Sequence, residues 1–288
     1  RAHQQNIIPV VDSAIKKANI TKDDITAIAF TKGPGLLGSL LVGSSFAKSF
    51  ALGMNIPLIT VNHMQGHILS HFIDEGEPMP QFPFLCLTVS GGHTQIVKVN
   101  SPSKMQVIGT TIDDAAGETF DKSAKILGLP YPGGPLIDKH AKNGNIHAFE
   151  FGKPKIKELD FSFSGLKTSI MYKIQNNTQN NPKFIKENLE DLCASIQYSI
   201  VTILLKKLEK AIKQTGIKEI AIAGGVSANT YLRSELKKLS TEKKFNLYIP
   251  KFEYCTDNAA MIAITGYFKY LEKDFAEQSE TPSARLPF

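Results

Sequence analysis

The chain has 288 residues, 42% hydrophobic and 21% charged, enough apolar material for one large domain or two lobes and too much for a disordered or low-complexity protein. Its net charge of +6 includes lysines gathered at Lys153, Lys155, Lys157 and Lys167 and at Lys206, Lys207, Lys210 and Lys213. Such patches favour a polyanion electrostatically, although most surface lysines simply form solvated faces.

The stretch 1–8 is polar and runs straight into a helical pattern, so it reads as neither a signal peptide nor a transit peptide; a processed or truncated start is the open alternative. Ile7, Ile8, Val11, Ala14, Ile15 and Ala18 recur at helical spacing and predict a helix over 2–18. A strand follows over 25–30, then a loop over 31–38 containing Gly33, Pro34, Gly35 and Gly38, then a helix over 39–54. A short strand over 57–61 leads to Asn62, a helix N-cap in type and place, and a helix through 72. Prolines and a glycine crowd 74–84, and beyond them the pattern turns to strands over 84–90, 95–99 and 105–111. We place the lobe boundary there, with lobe I formed by 1–82 and 259–288 and lobe II by 83–258. Helical periodicity covers 113–128, 134–144 and 188–215, the last long and apolar enough for a central core helix. A buried strand over 218–223 turns through Gly224 and Gly225 into a helix over 230–239. A strand over 247–249 and a helix over 258–271 close the chain. The longest apolar runs, such as 85–89 and 200–205, fall far short of the ~18 to 20 residues of a membrane span. Cys86, Cys193 and Cys255 are too scattered for a zinc ribbon or a disulfide scaffold, which fits a reducing compartment. Alternating strands, glycine loops and helices in both halves predict an α/β protein of two lobes around a cleft.

His63 and His67 stand at i and i+4, so both imidazoles can reach one cation from a single helix face. Position 64 is Met, whereas a zincin protease needs Glu there as general base. Taken alone, the pair also reads as two polar residues on an exposed turn. Asp257, just before the closing helix, is a candidate third ligand and equally a helix cap. Gly91 and Gly92, Gly133 and Gly134, and Gly224 and Gly225 each sit at a junction where backbone N–H groups could surround phosphate or ribose; each alone also reads as a turn. Asp121 and Asp138 stand nearby, and carboxylates beside a nucleotide commonly accept from ribose hydroxyls, so the set suggests an adenylate. No P-loop lysine follows Gly33, Pro34 and Gly35. Ser162 and Ser164 lack a partner histidine in sequence. The run 161–167 reads as a strand turning into a helix from Lys167, itself a candidate phosphate or tRNA contact.

The order of these motifs resembles one family. It includes Gly33-Pro34-Gly35-Leu36, Asn62-His63 to His67, Val89-Ser90-Gly91-Gly92-His93, Asp113-Asp114-Ala115-Ala116-Gly117-Glu118 and Phe120-Asp121-Lys122. It continues through Tyr131-Pro132-Gly133-Gly134-Pro135, Phe161 to Lys167, Gly224 to Asn229, and Thr256-Asp257-Asn258. Together they look like the tRNA threonylcarbamoyl transferases, bacterial TsaD and its archaeal, eukaryotic and mitochondrial relatives, formerly called O-sialoglycoprotein endopeptidases. The resemblance implies an ASKHA fold, the actin-like and sugar-kinase-like pair of lobes. It implies one divalent metal ion, iron or zinc with Fe2+ favoured, held by the positions matching His63, His67 and Asp257. It implies an adenylate contacted by Val89, Ser90, Gly91, Gly92, His93, Asp121, Gly134, Asp138 and Asn229. The implied reaction moves a threonylcarbamoyl group from threonylcarbamoyl-AMP to N6 of adenosine 37 in tRNAs that read ANN codons. Implied partners are tRNA, threonylcarbamoyl-AMP and either a TsaB-like inactive paralogue with a TsaE-like ATPase in bacteria or a second copy in mitochondria, with no membrane. The implied location is the bacterial cytoplasm, with the mitochondrial matrix as the alternative.

The family normally opens with a strand and a Gly-Ile-Glu segment that is not seen before Ala2. The first lobe is therefore expected to lack its initial hairpin, and the chain as written to be inactive or poorly stable. The rival readings are a small-molecule kinase of the same fold, a metalloprotease, disfavoured by Met64, and a non-catalytic scaffold of a tRNA-modifying complex.

Overall fold

The computed structural model of the chain describes residues 2–152, 154 and 156–288; Arg1 of the polar opening stretch and Lys153 and Lys155 of the first lysine patch lie outside the described residues. In chain order the elements begin with α1 (Ala2–Lys17), β1 (Ile28–Gly33), α2 (Leu37–Met54), β2 (Leu58–Asn62) and α3 (His63–Leu69). Next come β3 (Phe84–Val89), β4 (Thr94–Ser101), β5 (Lys104–Thr110), α4 (Ala116–Ile126), α5 (Gly133–Ala141) and α6 (Ser164–Asn180). The remainder is α7 (Phe184–Glu187), α8 (Leu189–Thr215), β6 (Glu219–Ala223), α9 (Thr230–Lys243), β7 (Asn246–Tyr248), α10 (Phe252–Cys255) and α11 (Ala259–Leu271). The elements form two compact units, Arg1–Gly76 with Asp257–Phe288, and Glu77–Thr256.

In the first unit β1 and β2 pair in parallel, and α2 lays Ala47 and Ala51 against Phe30 and Leu58. β1 begins three residues later than its apolar pattern predicts and runs on through Lys32 and Gly33. The cause is partner backbone: Gly33 pairs with Asn62, and Lys32 accepts a hydrogen bond from Ser283 N at 2.8 Å. α1, α2 and β1 border an open apolar groove that reaches His63 and Asp257. The apolar stripe of α1 faces this groove, and none of its residues is fully buried. Contrary to the expectation from the apolar runs, α2 is long and apolar enough, by length and composition, to cross a membrane. Here it serves as the helix covering β1. It carries Lys48, whose ammonium donates to the Glu280 carbonyl.

The second unit holds a five-stranded sheet of order β5-β4-β3-β6-β7, antiparallel through β5, β4 and β3 and parallel across β3, β6 and β7. β3 is buried at all six positions, as the central strand of a sheet covered on both faces must be. α8 supplies Leu192, Ile196, Ile200, Leu204 and Leu208 to the main core, and Gly216 at φ 69° ends it. β3 and β6 lie side by side in parallel and end at Val89 and Ala223, so the loops at 90–93 and 224–229 leave the sheet from the same edge. That edge, beyond the carboxyl ends of parallel strands, is where α/β sheets hold ligands.

Cys86, Cys193 and Cys255 are free and buried. Burial, followed by the charge of Glu190, pushes the Cys193 thiol up to about 12, so it is inert at neutral pH.

Candidate functional site

α3 starts where the sequence predicts because Asn62 caps it: its Oδ1 accepts from Met64 N at 2.9 Å and from Gln65 N at 3.4 Å. The face carrying Met64 and Ile68 is buried. Gly66 lets α11 approach, since a Cβ there would stand 3.2 Å from Ile262 Cδ1. With Met64 packed in the core, the position after the first histidine offers no general base. His63 and His67 remain, one turn apart, with ring centroids 4.8 Å from each other.

Asp257 completes the group. Its Oδ1 lies 3.2 Å from His63 Nε2 and 3.3 Å from His67 Nε2, and one ligand atom from each of the three residues lies within 4.8 Å of the others. The alternative role of Asp257 as a helix cap is taken by its neighbour: Asn258 Oδ1 accepts from Met261 N at 2.8 Å and caps α11. Two adjacent side chains could have capped that helix, and the choice of Asn258 leaves the Asp257 carboxylate to face the imidazoles. Hydrogen bonds from His63 and then His67 hold the Asp257 carboxyl well below the usual carboxylate range. His67 is 2% exposed and Asp257 79%, so the group has a buried floor and an open side. His67 Nδ1 is buried without a hydrogen-bond partner among the described residues, and the polar contact of this ring is on its Nε2 side, toward Asp257.

Two imidazole nitrogens and a carboxylate oxygen are a donor set suited to a divalent transition metal. Three protein ligands with an open side match a site that keeps a position for water or substrate. The residues present therefore fit a metal ion.

The glycine loops sit in the second unit. The loop 90–93 is a tight turn: Ser90 N donates to His93 O at 2.8 Å, and His93 N donates to Ser90 Oγ at 3.1 Å. Gly91 and Gly92 are exposed. Gly117, in the first turn of α4, packs against this loop; its N–H reaches Ser90 O at 3.2 Å, and a Cβ there would come 2.5 Å from the same oxygen. Gly224, at φ 87°, lies as close to Val89 O on the other side. Gly224 thus holds the loop leaving β6 against the end of β3, and Gly117 holds α4 against the loop 90–93, at two positions that admit no side chain.

Asp121 Oδ1 accepts from Gly133 N at 2.7 Å and Gly134 N at 3.2 Å, which fixes the start of α5; its Oδ2 takes part in neither bond. Asp138 uses both oxygens on Thr230, Oδ2 from the backbone N–H at 3.1 Å and Oδ1 from the hydroxyl at 2.8 Å. Asn229, 8% exposed, caps α9 through Leu232 N at 2.8 Å and donates to Gln197 Oε1 at 2.7 Å. These three residues therefore shape the loops from within. Asp121 Oδ2 and each oxygen of Asp138 keep a lone pair for a ligand hydroxyl.

Further residues hold the same region without a signal in the sequence. Arg233 donates through Nε to Ser227 O at 2.7 Å and through Nη2 to Pro250 O at 2.8 Å, while its guanidinium lies 4.0 Å above the Phe252 ring. Asp113 accepts from Ser162 Oγ, Phe163 N, Ser164 N and Ser164 Oγ, so α6 begins at Ser164 rather than at Lys167 as its pattern predicts. Lys167 itself, a candidate contact to phosphate or tRNA, pairs with Asp114 at 2.9 Å. In the second lysine patch Lys207 Nζ donates to the carbonyls of Ile156 and Glu158 at 2.8 and 2.7 Å, and Lys213 pairs with Glu209.

Fold and site together define an α/β protein of the ASKHA class carrying a His-His-Asp group that could hold a metal ion. The fold is similar to that of full-length HypF in its phosphate- and nucleotide-bound form, with a TM-score of 0.63 and 14% identity over 91% of this chain and 41% of that one. The family described as TsaD, tRNA N6-adenosine threonylcarbamoyltransferase, matches residues 1–264. A tRNA N6-adenosine threonylcarbamoyltransferase of Christiangramia forsetii is 63% identical over 100% of this chain and 85% of its own length. That of Riemerella anatipestifer is 59% identical over 99% and 84%, and that of Thermosipho africanus 49% over 94% and 80%. The chain belongs to the tRNA N6-adenosine threonylcarbamoyltransferase family.

Proposed function

We propose that this chain transfers the threonylcarbamoyl group of threonylcarbamoyl-AMP to N6 of adenosine 37 in tRNAs that read ANN codons. The observation that carries the reading is the convergence of His63, His67 and Asp257 in a chain of this family, with Asn258 taking the capping role. These three residues would hold one divalent ion, Fe2+ in preference to Zn2+, since two histidines and one carboxylate with open positions suit Fe(II). When bound, the ion supplies Lewis-acid polarisation of a carbamoyl or phosphate oxygen.

The adenylate would be bound by Val89, Ser90, Gly91, Gly92 and His93, by Asp121, Gly134 and Asp138, and by Asn229. The N–H groups of the exposed residues Gly91 and Gly92 would donate to anionic oxygens, and Asp121 and Asp138 would accept from ribose hydroxyls. In the transfer, adenine N6 attacks the carbamoyl carbon, the bond from that carbon to the phosphate oxygen breaks, AMP leaves and N6 releases one proton. The chain's part is positioning: loops fixed by Gly117, Gly224 and Arg233 lose little entropy on closing around the adenylate.

The relatives named above are bacterial, which supports a bacterial cytoplasmic setting, with a TsaB-like paralogue and a TsaE-like ATPase as partners; a second copy of the chain is the mitochondrial alternative. Incubation of the full-length protein and its partners with threonylcarbamoyl-AMP and unmodified tRNA, followed by mass spectrometry of the nucleosides, tests the assignment. Threonylcarbamoyladenosine at position 37 is expected; unchanged adenosine would overturn it.

A further inference from the structure

The side chain of Asn62 makes contacts in two directions. Its Oδ1 caps α3 through Met64 N and Gln65 N, and its Nδ2 donates to Pro287 O at 2.9 Å. The C-terminal tail that carries Pro287 is tied down separately. Ser283 N donates to Lys32 O at 2.8 Å and Gly35 N to Ala284 O at 3.2 Å, while Glu280 pairs with Lys32 at 2.6 Å. The segment 280–287 therefore runs along the end of β1 and meets the residue that precedes His63. A seven-residue helix has few backbone bonds of its own, so its direction depends on its cap and on what holds the cap.

We propose that Asn62 is a positioning residue for the metal group and that the tail acts through it. The Pro287 carbonyl orients the Asn62 amide, the amide oxygen orients the first turn of α3, and that turn aims His63 and His67 at Asp257. An amide meets this need because it offers an acceptor and a donor on one planar group. A serine caps a helix as well, but its hydroxyl is too short to hold the tail at the same time. The proposal rests on the metal reading given above.

The test uses Co2+ as a spectroscopic probe on the purified full-length protein, with affinity and the visible d–d spectrum as readouts. The variants are Asn62→Ser, removal of residues 286–288, and both together. Asn62→Ser keeps the cap and loses the tail bond; the truncation removes the acceptor and leaves Asn62 and the ties at Lys32 and Gly35 in place. Each single change is expected to weaken Co2+ binding about three- to tenfold, as for loss of one hydrogen bond, and to alter the spectrum. The double variant should be no weaker than the worse single one, because both changes remove the same bond. Wild-type affinity and spectrum in both single variants would overturn the proposal, as would a double variant whose loss is the product of the two. Failure of the unaltered protein to bind Co2+ would instead overturn the metal reading.

Discussion

Replacing Gly117 by alanine puts a methyl group 2.5 Å from Ser90 O, 2.8 Å from Ser90 C and 2.9 Å from Gly91 Cα. All three atoms are backbone, so no side-chain rotation relieves the clash. Ordinary contact begins at 3.4 Å, and the shortfall of about 0.9 Å must be met by moving the loop 90–93 or α4. Overpacking of this kind costs about 1 to 3 kcal/mol. Loss of the Gly117 N–H bond to Ser90 O adds about 1 kcal/mol, and the better helix propensity of alanine returns up to about 1 kcal/mol. The net destabilisation is therefore about 1 to 3 kcal/mol, read as a lower urea midpoint for the second unit. The displaced loop is the proposed anion cradle, so KM for threonylcarbamoyl-AMP should rise at least tenfold, since about 1 Å of misplacement at a site can cost a hundredfold in rate. Gly165→Ala is the control: it lies in the first turn of α6, and nothing stands within 4 Å of its Cβ position. It should be neutral or slightly stabilising. A Gly117→Ala protein with the wild-type midpoint and KM would refute the reasoning.

Asp113→Ala should destabilise the second unit by about 1 to 2 kcal/mol, because it removes the acceptor for Phe163 N, Ser164 N and two serine hydroxyls; chemical denaturation at pH 7 measures it. Burial raises the Asp113 pKa, but the bonds from Ser162, Phe163 and Ser164 outweigh it and leave the net shift downward. A lowered folded pKa contributes stability above the unfolded value of about 3.9 and loses it as pH falls toward the folded value. The gap between wild type and variant should accordingly close in acid, as urea titrations at stepped pH would show. Arg233→Lys should cost about 1 to 2 kcal/mol, because a lysine cannot serve Ser227 O and Pro250 O together while lying flat on Phe252; Arg233→Lys unfolding at the wild-type midpoint would argue against the clamp.

The sequence carried the local features well. Asn62 caps α3 as its type and place predict, α8 runs to Thr215 within a residue of its periodicity, and β6 is the buried strand that its apolar run predicts. What it could not carry depends on partners distant in the chain. Asp113 starts α6 from about fifty residues away, and Asp138 reaches Thr230 across 92 positions, so neither bond leaves a local pattern. β1 runs past its apolar run because pairing with Asn62 and the Ser283 N–H satisfies Lys32 and Gly33. At the site, the i and i+4 spacing of the histidines was legible. The choice between Asp257 as ligand and as cap was not, since it turns on which of two neighbouring side chains faces α11.

The most direct test of the central claim is the double substitution His63→Ala and His67→Ala. Metal bound per chain is measured by elemental analysis, and threonylcarbamoyladenosine formed in tRNA by mass spectrometry, on the same preparations. The variant is expected to stay folded, because Met64, Ile68 and Leu69 keep the apolar core contacts of α3 when the buried His67 ring is removed, and to lose both the metal and the transfer. A folded double variant that keeps its metal content and modifies tRNA at the wild-type rate would contradict it.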